Sequence, residues 1–317
     1  MRSVFLDLNH WIALARAVYG KTVRPDHDTA CERLRQAVRC KKIFLPLQIS
    51  HLVEYSRHNS ISRRQRMAAV FEEFTQNHFF AAWSTVLPYE FSRAISITFD
   101  LPNISADPVI FGKGPLFSLP EKAKELIRQD PDIHLGLHFH ESLSAAPGML
   151  YDLLTFQNET GRLKQLTSDR QRQSNYASGR EAGRRNFNSI DEAIRAQAAI
   201  YTFHHQRELQ VCLHLYGKSF ADFINLGPVG MSKFFDHVPS LNIDRSLTIA
   251  RDRHWDRAVQ GNDLQDIGYL ALAVPYCDAV LVENFWGHLV RTHKMDSKYG
   301  TVVLTDLADV IEFLDRC

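Results

Sequence analysis

The alternation of apolar and polar positions divides the chain into an N-terminal, a middle and a C-terminal stretch. Near the N-terminus the apolar run Val4-Phe5-Leu6 fits a buried parallel strand, and apolar positions at helical spacing follow from Trp11. Helical patterns cover residues 29–38 and 62–75, and the strand candidate Ile43-Phe44-Leu45 lies between them. The order of strand, helix, strand and helix predicts a parallel sheet covered on both faces.

The middle stretch has a different pattern. After about residue 90, proline and glycine interrupt the chain often and few apolar runs resemble strands. Helical periodicity predicts helices at residues 121–129, 148–160, 190–215 and 218–225. The pattern therefore predicts a mainly helical insertion over residues 100–240.

Strand-like runs return in the C-terminal stretch, at residues 279–282 and 301–304. Apolar helices are predicted before the first run, at residues 264–274, and after the second, at residues 307–314. The predicted fold class is therefore α/β, with residues 1–95 and 245–317 forming one discontinuous domain around the helical insertion.

Composition and charge narrow the class of protein only slightly. The 317 residues are 45% hydrophobic and 23% charged, as in ordinary folded proteins, and the net charge is +1. Binding of a nucleic acid would therefore require a local basic patch on the protein surface. The five cysteines are scattered without a Cys-x-x-Cys pair, which predicts a reducing, cytoplasmic location. Because no apolar run reaches 18 residues and no secretory signal is visible, we expect no membrane association.

Acidic residues stand at the ends of the predicted strands and at the start of a predicted helix. Ligands of an open parallel sheet bind beyond the carboxyl ends of its strands, where Asp7 and Glu283 are expected. Asp263 and Asp266 are three residues apart near one helix end. Clustered carboxylates need a cation to remain ionised together, and magnesium held in this way supports phosphodiester hydrolysis.

The same acids also have structural explanations when each is taken alone. These are a helix N-cap for Asp263, a first-turn acid favoured by the helix dipole for Asp266, a turn residue for Asp7 and Asp278, and a solvated ion pair for Glu54. The joint placement of the acids favours the metal site.

Four segments carry these acids in a characteristic order. They are Val4-Phe5-Leu6-Asp7-Leu8-Asn9, Pro46-Leu47-Gln48-Ile49-Ser50-His51-Leu52-Val53-Glu54, Asp266 leading into Ala271-Leu272-Ala273, and Cys277-Asp278-Ala279-Val280-Leu281-Val282-Glu283. The order resembles that of PIN domains, which are metal-dependent nucleases, mostly of RNA. In that family an Asp follows the first strand, a Glu lies on a helix after the second, an Asp opens a later helix and a last acid follows the fourth strand. The resemblance covers about 170 residues from both ends of the chain.

The resemblance implies a three-layer α/β/α fold with a central, mostly parallel sheet of four to five strands. It also implies a metal-dependent endoribonuclease that uses Mg²⁺ or Mn²⁺, with Asp7, Glu54, Asp266 and Glu283 as catalytic residues and metal ligands. We predict Asp263 and Asp278 as further metal ligands, and Asp278 as a substitute for Glu283, which stands where the family commonly has Asp. Asn9 and His10 are predicted to position the substrate. Toxin, antiviral defence and RNA-processing roles are all left open, and the large insertion favours a regulated nuclease.

A basic segment in the insertion is the predicted RNA-binding patch. Residues 162–185 contain seven basic and two acidic residues, and Tyr176 and Phe187 are available to stack on bases. The alternative is a solvated charged loop. The basic residues are Arg162, Lys164, Arg170, Arg172, Arg180, Arg184 and Arg185.

Two further hypotheses complete the predictions. His134, His138, His140 and Glu141 have a spacing that suits zinc, although an ordinary packed segment explains them as well. The alternative to the nuclease is a catalytically silent α/β scaffold that binds RNA or a protein through its insertion. A regulatory protein partner and a homodimer are left open.

The sequence lacks the motifs of three other classes of enzyme. These are nucleotide triphosphatases, dinucleotide-binding enzymes and α/β-hydrolases.

Overall fold

The computed structural model describes residues 1–22, 24–129, 148–155 and 159–316. It divides the chain into two compact units, each made from separate segments. Unit 1 comprises Met1–Ala82, Ile110–Asp169 and Tyr276–Cys317, and unit 2 comprises Trp83–Val109 and Arg170–Pro275. Both ends of the chain thus belong to one unit, but residues 110–169, expected in the insertion, belong to unit 1, and residues 245–275, expected in the α/β domain, belong to unit 2.

The strands lie in unit 1. In chain order they are β1 (Arg2–Leu6), β2 (Ile43–Phe44), β3 (His78–Phe80), β4 (Phe111–Lys113), β5 (Ala279–Leu281) and β6 (Val302–Leu304). Four of them form a parallel sheet in the order β2-β1-β5-β6. The α/β class and the strands predicted in the two end stretches are confirmed.

The sheet is built from short, almost wholly apolar strands. Val4, Phe5 and Leu6 are completely buried, as is all of β5. Such continuous apolar runs are typical of parallel strands that are covered on both faces. In the register, Val4 is opposite Ala279 and Ala279 is opposite Val302, so the two ends of the chain are joined strand to strand.

Strands β3 and β4 form a small antiparallel pair that the sequence pattern did not predict. Each has three residues, which is too short for alternation to be visible. A parallel bridge between Leu47 and Phe79 connects the chain after β2 to β3.

The helices cover most of the remaining described chain. In chain order they are α1 (Leu8–Val18), α2 (Pro25–Arg39), α3 (Ile49–Ser56), α4 (Ile61–Thr75), α5 (Trp83–Thr98), α6 (Glu121–Gln129), α7 (Met149–Thr155), α8 (Glu159–Gly183), α9 (Ile190–His204), α10 (Gln206–Leu215), α11 (Phe220–Ile224), α12 (Gly227–Asp236), α13 (Pro239–Asp252), α14 (Asp263–Tyr276), α15 (Asn284–Thr292), α16 (Met295–Tyr299) and α17 (Asp309–Asp315). The helices predicted at residues 29–38, 62–75, 121–129, 264–274 and 307–314 are confirmed as α2, α4, α6, α14 and α17.

Each unit has its own apolar core. In unit 1, α1, α2 and α4 pack with the sheet, and the rings of Trp11 and Phe71 meet edge to face at 5.1 Å. In unit 2, α5 packs with the helices that follow α8, around the buried rings of Phe91, Phe223 and Phe234. In the described part of the chain, no helix combines the length and hydropathy that crossing a membrane requires.

Candidate functional site

The carboxyl ends of three strands lie side by side at one edge of the sheet. The backbone N–H of Asp7, directly after β1, donates to the Leu281 carbonyl at the end of β5 at 3.0 Å. The N–H of Val282 in turn donates to the Leu304 carbonyl at the end of β6, also at 3.0 Å. Residues that follow β1, β5 and β6 therefore share this edge, as the rule for open parallel sheets predicts.

Asp7 and Glu283 meet at this edge although 276 residues separate them. Asp7 is the N-cap of α1, and its Oδ1 accepts a hydrogen bond from the His10 N–H at 2.9 Å. Its Oδ2 accepts the backbone N–H of Glu283 at 2.9 Å. The cap and this second bond fix the orientation of the Asp7 carboxylate.

The side chains of Asn9 and His10 contact these acids. The Asn9 amide donates to Glu283 Oε1, and His10 Nδ1 lies 2.6 Å from Asp7 Oδ1. Burial by itself would lower the pKa of His10, but the hydrogen bond to Asp7 and the charge of that carboxylate prevail, so this pKa is raised. Both residues, predicted to position substrate, thus orient the acidic pair in this structure.

Helix α3 carries Glu54 and a buried histidine on one face. His51 is completely buried, and its Nδ1 accepts the Gln48 N–H at 3.1 Å. Burial lowers the pKa of His51 to about 4, against the opposing influence of the Asp7 charge, so the ring is neutral near pH 7. Glu54 is partly buried and follows His51 by three residues, on the same helical face.

Asp278 lies at the opposite edge of the sheet. It precedes β5, whereas Glu283 follows that strand, and its Oδ2 accepts both the N–H and the hydroxyl of Ser3 at 2.8 Å. The structure therefore does not bring Asp278 to Asp7. Its contacts fit the structural alternative, because they join the starts of β1 and β5.

Asp263 lies in unit 2 and is completely buried in a network of ion pairs. Its carboxylate accepts hydrogen bonds from Arg251 at 2.9 Å, from Arg257 at 2.7 and 3.0 Å, and from the Gln260 N–H at 2.9 Å. Burial tends to raise the pKa of Asp263, but these donors lower it overall. Four donors use the lone pairs that a metal ion would need, so the geometry favours a structural role.

Asp266 also belongs to unit 2, in the first turn of α14. Its N–H donates to the Asn262 carbonyl at 3.0 Å, as expected at a helix start, and its side chain is partly buried. Asp7 and Glu283 therefore meet within unit 1, whereas Asp263 and Asp266 belong to unit 2.

Sequence reasoning missed one acid at the same edge. Asp306 follows β6 by two residues, and the neighbouring Thr305 carbonyl lies 3.3 Å from His10 Nε2. Asp306 forms a group with Asp26 and His27 whose ligand atoms all lie within 4.8 Å of one another. Arg24 pairs with both carboxylates, at 2.5 and 2.6 Å, and offsets part of their negative charge. The rule that indicated Asp7 and Glu283 would have found Asp306 if applied to the last strand.

Most of the basic segment lies in helix α8, which ends at Gly183, and not in the charged loop given as the alternative. Several of its members are engaged within unit 2: Arg180 pairs with Asp252, Arg184 is buried and donates to the His254 and Arg257 carbonyls, and the Tyr176 hydroxyl accepts from Arg251. The exposed members are Lys164, Arg170 and Arg172.

Several predicted residues fall outside the part of the chain that the structure describes. The side chains of Arg162 and Arg185 are among them, as are His134, His138, His140 and Glu141. Comparison with protein-family models, with curated proteins and with solved structures finds no match for this chain.

Proposed function

We propose that unit 1 is the catalytic part of a metal-dependent nuclease with a PIN-like fold. The observation that carries the proposal is the meeting of Asp7 and Glu283 at the carboxyl edge of the parallel sheet, held by a direct hydrogen bond. Four parallel strands and the Leu47–Phe79 bridge agree with the sheet of four to five strands that the resemblance implies. The positions of Asp7, Glu54 and Glu283 after their strands agree with its order of acids.

The donor set at this edge suits a hard divalent cation. Asp7 and Glu283 supply carboxylate oxygens, which Mg²⁺ and Mn²⁺ prefer, and Glu54 is the third candidate ligand. When bound, such an ion activates water and stabilises the charge of a phosphodiester during hydrolysis. A cation would also offset the repulsion between neighbouring carboxylates.

The residues around the acids have positioning roles in this proposal. The α1 cap holds Asp7, and Asn9 holds Glu283. The hydrogen bond to Asp7 and the charge of that carboxylate raise the pKa of His10 despite its burial, which favours the protonated ring beside Asp7. Burial lowers the pKa of His51 to about 4, so near pH 7 this ring adds no positive charge beside Asp7.

RNA is the proposed substrate, on the strength of the resemblance. The catalytic role that the resemblance implies for Asp266 stays a prediction, since Asp266 belongs to unit 2. Cys31, Cys40, Cys212 and Cys277 are free, which supports the proposed cytoplasmic location.

A protein-binding role is the second candidate, favoured by exposed apolar side chains in unit 2. Phe203 on α9 is 77% exposed, and Val211 and Leu215, one turn apart on α10, are 59% and 64% exposed. Solvent-exposed apolar pairs of this kind suit a protein partner better than RNA. This role is compatible with catalysis by unit 1.

The decisive experiment is cleavage of labelled RNA and DNA with Mg²⁺ or Mn²⁺ by the full chain and by Asp7→Asn. Asparagine keeps the shape of the side chain and is also a good N-cap, so the fold is preserved while the charge is removed. We expect the variant to lose at least about 100-fold in rate, the order found when one charge-stabilising group is removed.

Asp278→Asn is the matched control, because it removes the same charge from the opposite edge of the same sheet. It should cleave at close to the wild-type rate once stability is taken into account. Asp266→Asn tests the further prediction for α14. Equal cleavage by wild type and Asp7→Asn would refute the proposed site.

A further inference from the structure

A cavity of about 320 Å³ opens between α1, α3 and α4 of unit 1. Its polar rim contains Arg16, Lys21, Arg63 and Arg66, all exposed. No carboxylate in the described part of the chain pairs with these four cations or lines the cavity. By contrast, arginines elsewhere in unit 1, such as Arg24, Arg33 and Arg35, are each paired with an acid.

Four positive charges around one cavity repel one another, and an anion bound among them relieves this repulsion. The ligand is thus expected to be anionic, and arginine guanidinium groups are well suited to phosphate because they offer several N–H donors in one plane. A phosphate held by three or four cations is a common form of recognition, whereas a carboxylate rarely needs so many.

The inner surface of the cavity is apolar and aromatic. Ile12, Ala15 and Met67 line it, together with the rings of Tyr19 and Tyr55. The Tyr19 ring is 39% exposed, with the Arg66 guanidinium 5.5 Å from its centre, and Tyr55 stacks on His58 at 5.9 Å. A free inorganic ion would leave these surfaces unused, whereas a flat base attached to a phosphate would contact them.

The cavity shares two helices with the acidic edge. Helix α1 is capped by Asp7 and carries Arg16 six residues after His10, which is about 9 Å along the helix axis. Helix α3 carries Glu54, and the next residue, Tyr55, lines the cavity. The acids and the cationic rim are therefore within the reach of one short nucleic-acid strand.

We propose that this cavity binds one nucleotide unit of a single-stranded nucleic acid, with the phosphate on the cationic rim and the base against the tyrosines. The inference deepens the proposed nuclease function and places part of its substrate beside the acidic edge. It assigns the contact with nucleic acid to unit 1, in addition to the basic segment that the sequence suggested.

Binding is tested in the full chain carrying Asp7→Asn, with a chelator present, so that cleavage and metal play no part. The probes are uridine 5′-monophosphate, uridine and inorganic phosphate, measured by calorimetry, and a labelled uridine octamer, measured by anisotropy. We expect the monophosphate to bind more tightly than uridine or phosphate. Combining Arg16→Gln with Arg66→Gln should weaken this binding about tenfold or more, as expected for lost charge-assisted hydrogen bonds. For the octamer, the slope of the logarithm of the binding constant against the logarithm of the salt concentration should become shallower by about 0.7 for each lost phosphate contact.

The matched control combines Arg39→Gln with Lys42→Gln, which removes two charges from exposed positions of the same unit outside the cavity. It should bind all four probes as the parent does. The proposal is overturned if the monophosphate does not bind, if inorganic phosphate binds equally well, or if both double variants behave alike. Binding that depends on Arg16 and Arg66 in a protein that never cleaves RNA would uphold the cavity and refute the nuclease.

Discussion

At the scale of single residues, the partners of each acid decide its role. Asp7, Asp263 and Asp278 look alike in sequence, since each stands at the end of a predicted element. In the structure, Asp263 is buried among arginine donors and Asp278 is held by Ser3, whereas Asp7 lies beside Glu283 at a partly exposed edge. Sequence position cannot distinguish these three environments, because the donors come from distant residues.

Asp263→Asn should destabilise the protein strongly. The substitution leaves the buried Arg251 guanidinium without its full counter-charge, and breaking a buried pair in this way costs about 3–5 kcal/mol of unfolding free energy. Urea unfolding measures the change. Asp278→Asn, at an exposed position, should cost roughly 1 kcal/mol. If the Asp263→Asn protein is stable but fails to bind Mn²⁺, Asp263 is a metal ligand and not a structural residue.

Stability should fall on acidification because of His51. Its pKa is about 4 in the folded protein, against an ordinary value of 6.5, so the unfolded chain binds the extra proton first. The contribution is fully present above about pH 6.5 and is lost as the pH falls toward 4, by roughly 3 kcal/mol in all. Urea unfolding at pH 7 and pH 4 measures the loss. His51→Gln should show a smaller loss over this interval, and an equal loss would contradict the assignment.

At the scale of elements, periodicity identified the long helices and the longer apolar runs. It did not find β3, β4 or helix α8. The two short strands form because they pair with each other, and the polar helix α8 is stabilised by contacts such as the ion pair between Asp169 and Arg57, directly after α3, at 2.6 Å. Such tertiary contacts leave no periodic signal in the local sequence.

The close approach of α15 to β6 depends on Gly287. A Cβ at this position would lie 2.6 Å from the Thr305 methyl group. Gly287→Ala should therefore lower the unfolding free energy by about 1–3 kcal/mol despite the better helix propensity of alanine, and thermal unfolding measures the change. Adding Thr305→Ser removes the clashing methyl group and should restore most of the loss. A double variant no more stable than Gly287→Ala would contradict this explanation.

At the scale of the whole molecule, the sheet joins the two ends of the chain in unit 1. Strand β1 is more than 270 residues from β5 and β6 in the sequence, yet all three strands end at one edge of the sheet, where Asp7 and Glu283 meet. The predicted boundaries of the insertion differ from the boundaries of the two units. The segment around α7 belongs to unit 1 because of contacts such as the hydrogen bond that the Tyr151 hydroxyl accepts from Gln65.

A divalent cation should stabilise the whole protein if it binds at the acidic edge. A ligand that binds the folded state alone adds about 2.7 kcal/mol when its concentration is 100 times the dissociation constant. We therefore expect Mn²⁺ to raise the melting temperature of the wild type and of Asp278→Asn, and a chelator to reverse the rise. Glu283→Gln and Asp7→Asn should respond weakly. An equal response from all four proteins would place the ion elsewhere.

The sequence by itself determined the α/β class, the principal strands and helices, and the positions of Asp7 and Glu283 after their strands. These features follow from local burial patterns and from the geometry of parallel sheets, which a single sequence displays. Only the tertiary structure decided which acids meet, that Asp263 and Asp278 are engaged elsewhere, and that Arg16 and Arg66 share a cavity with Tyr19 and Tyr55. Those outcomes depend on contacts between distant segments, and the energies of such contacts are set by burial and by partners that come together when the chain folds.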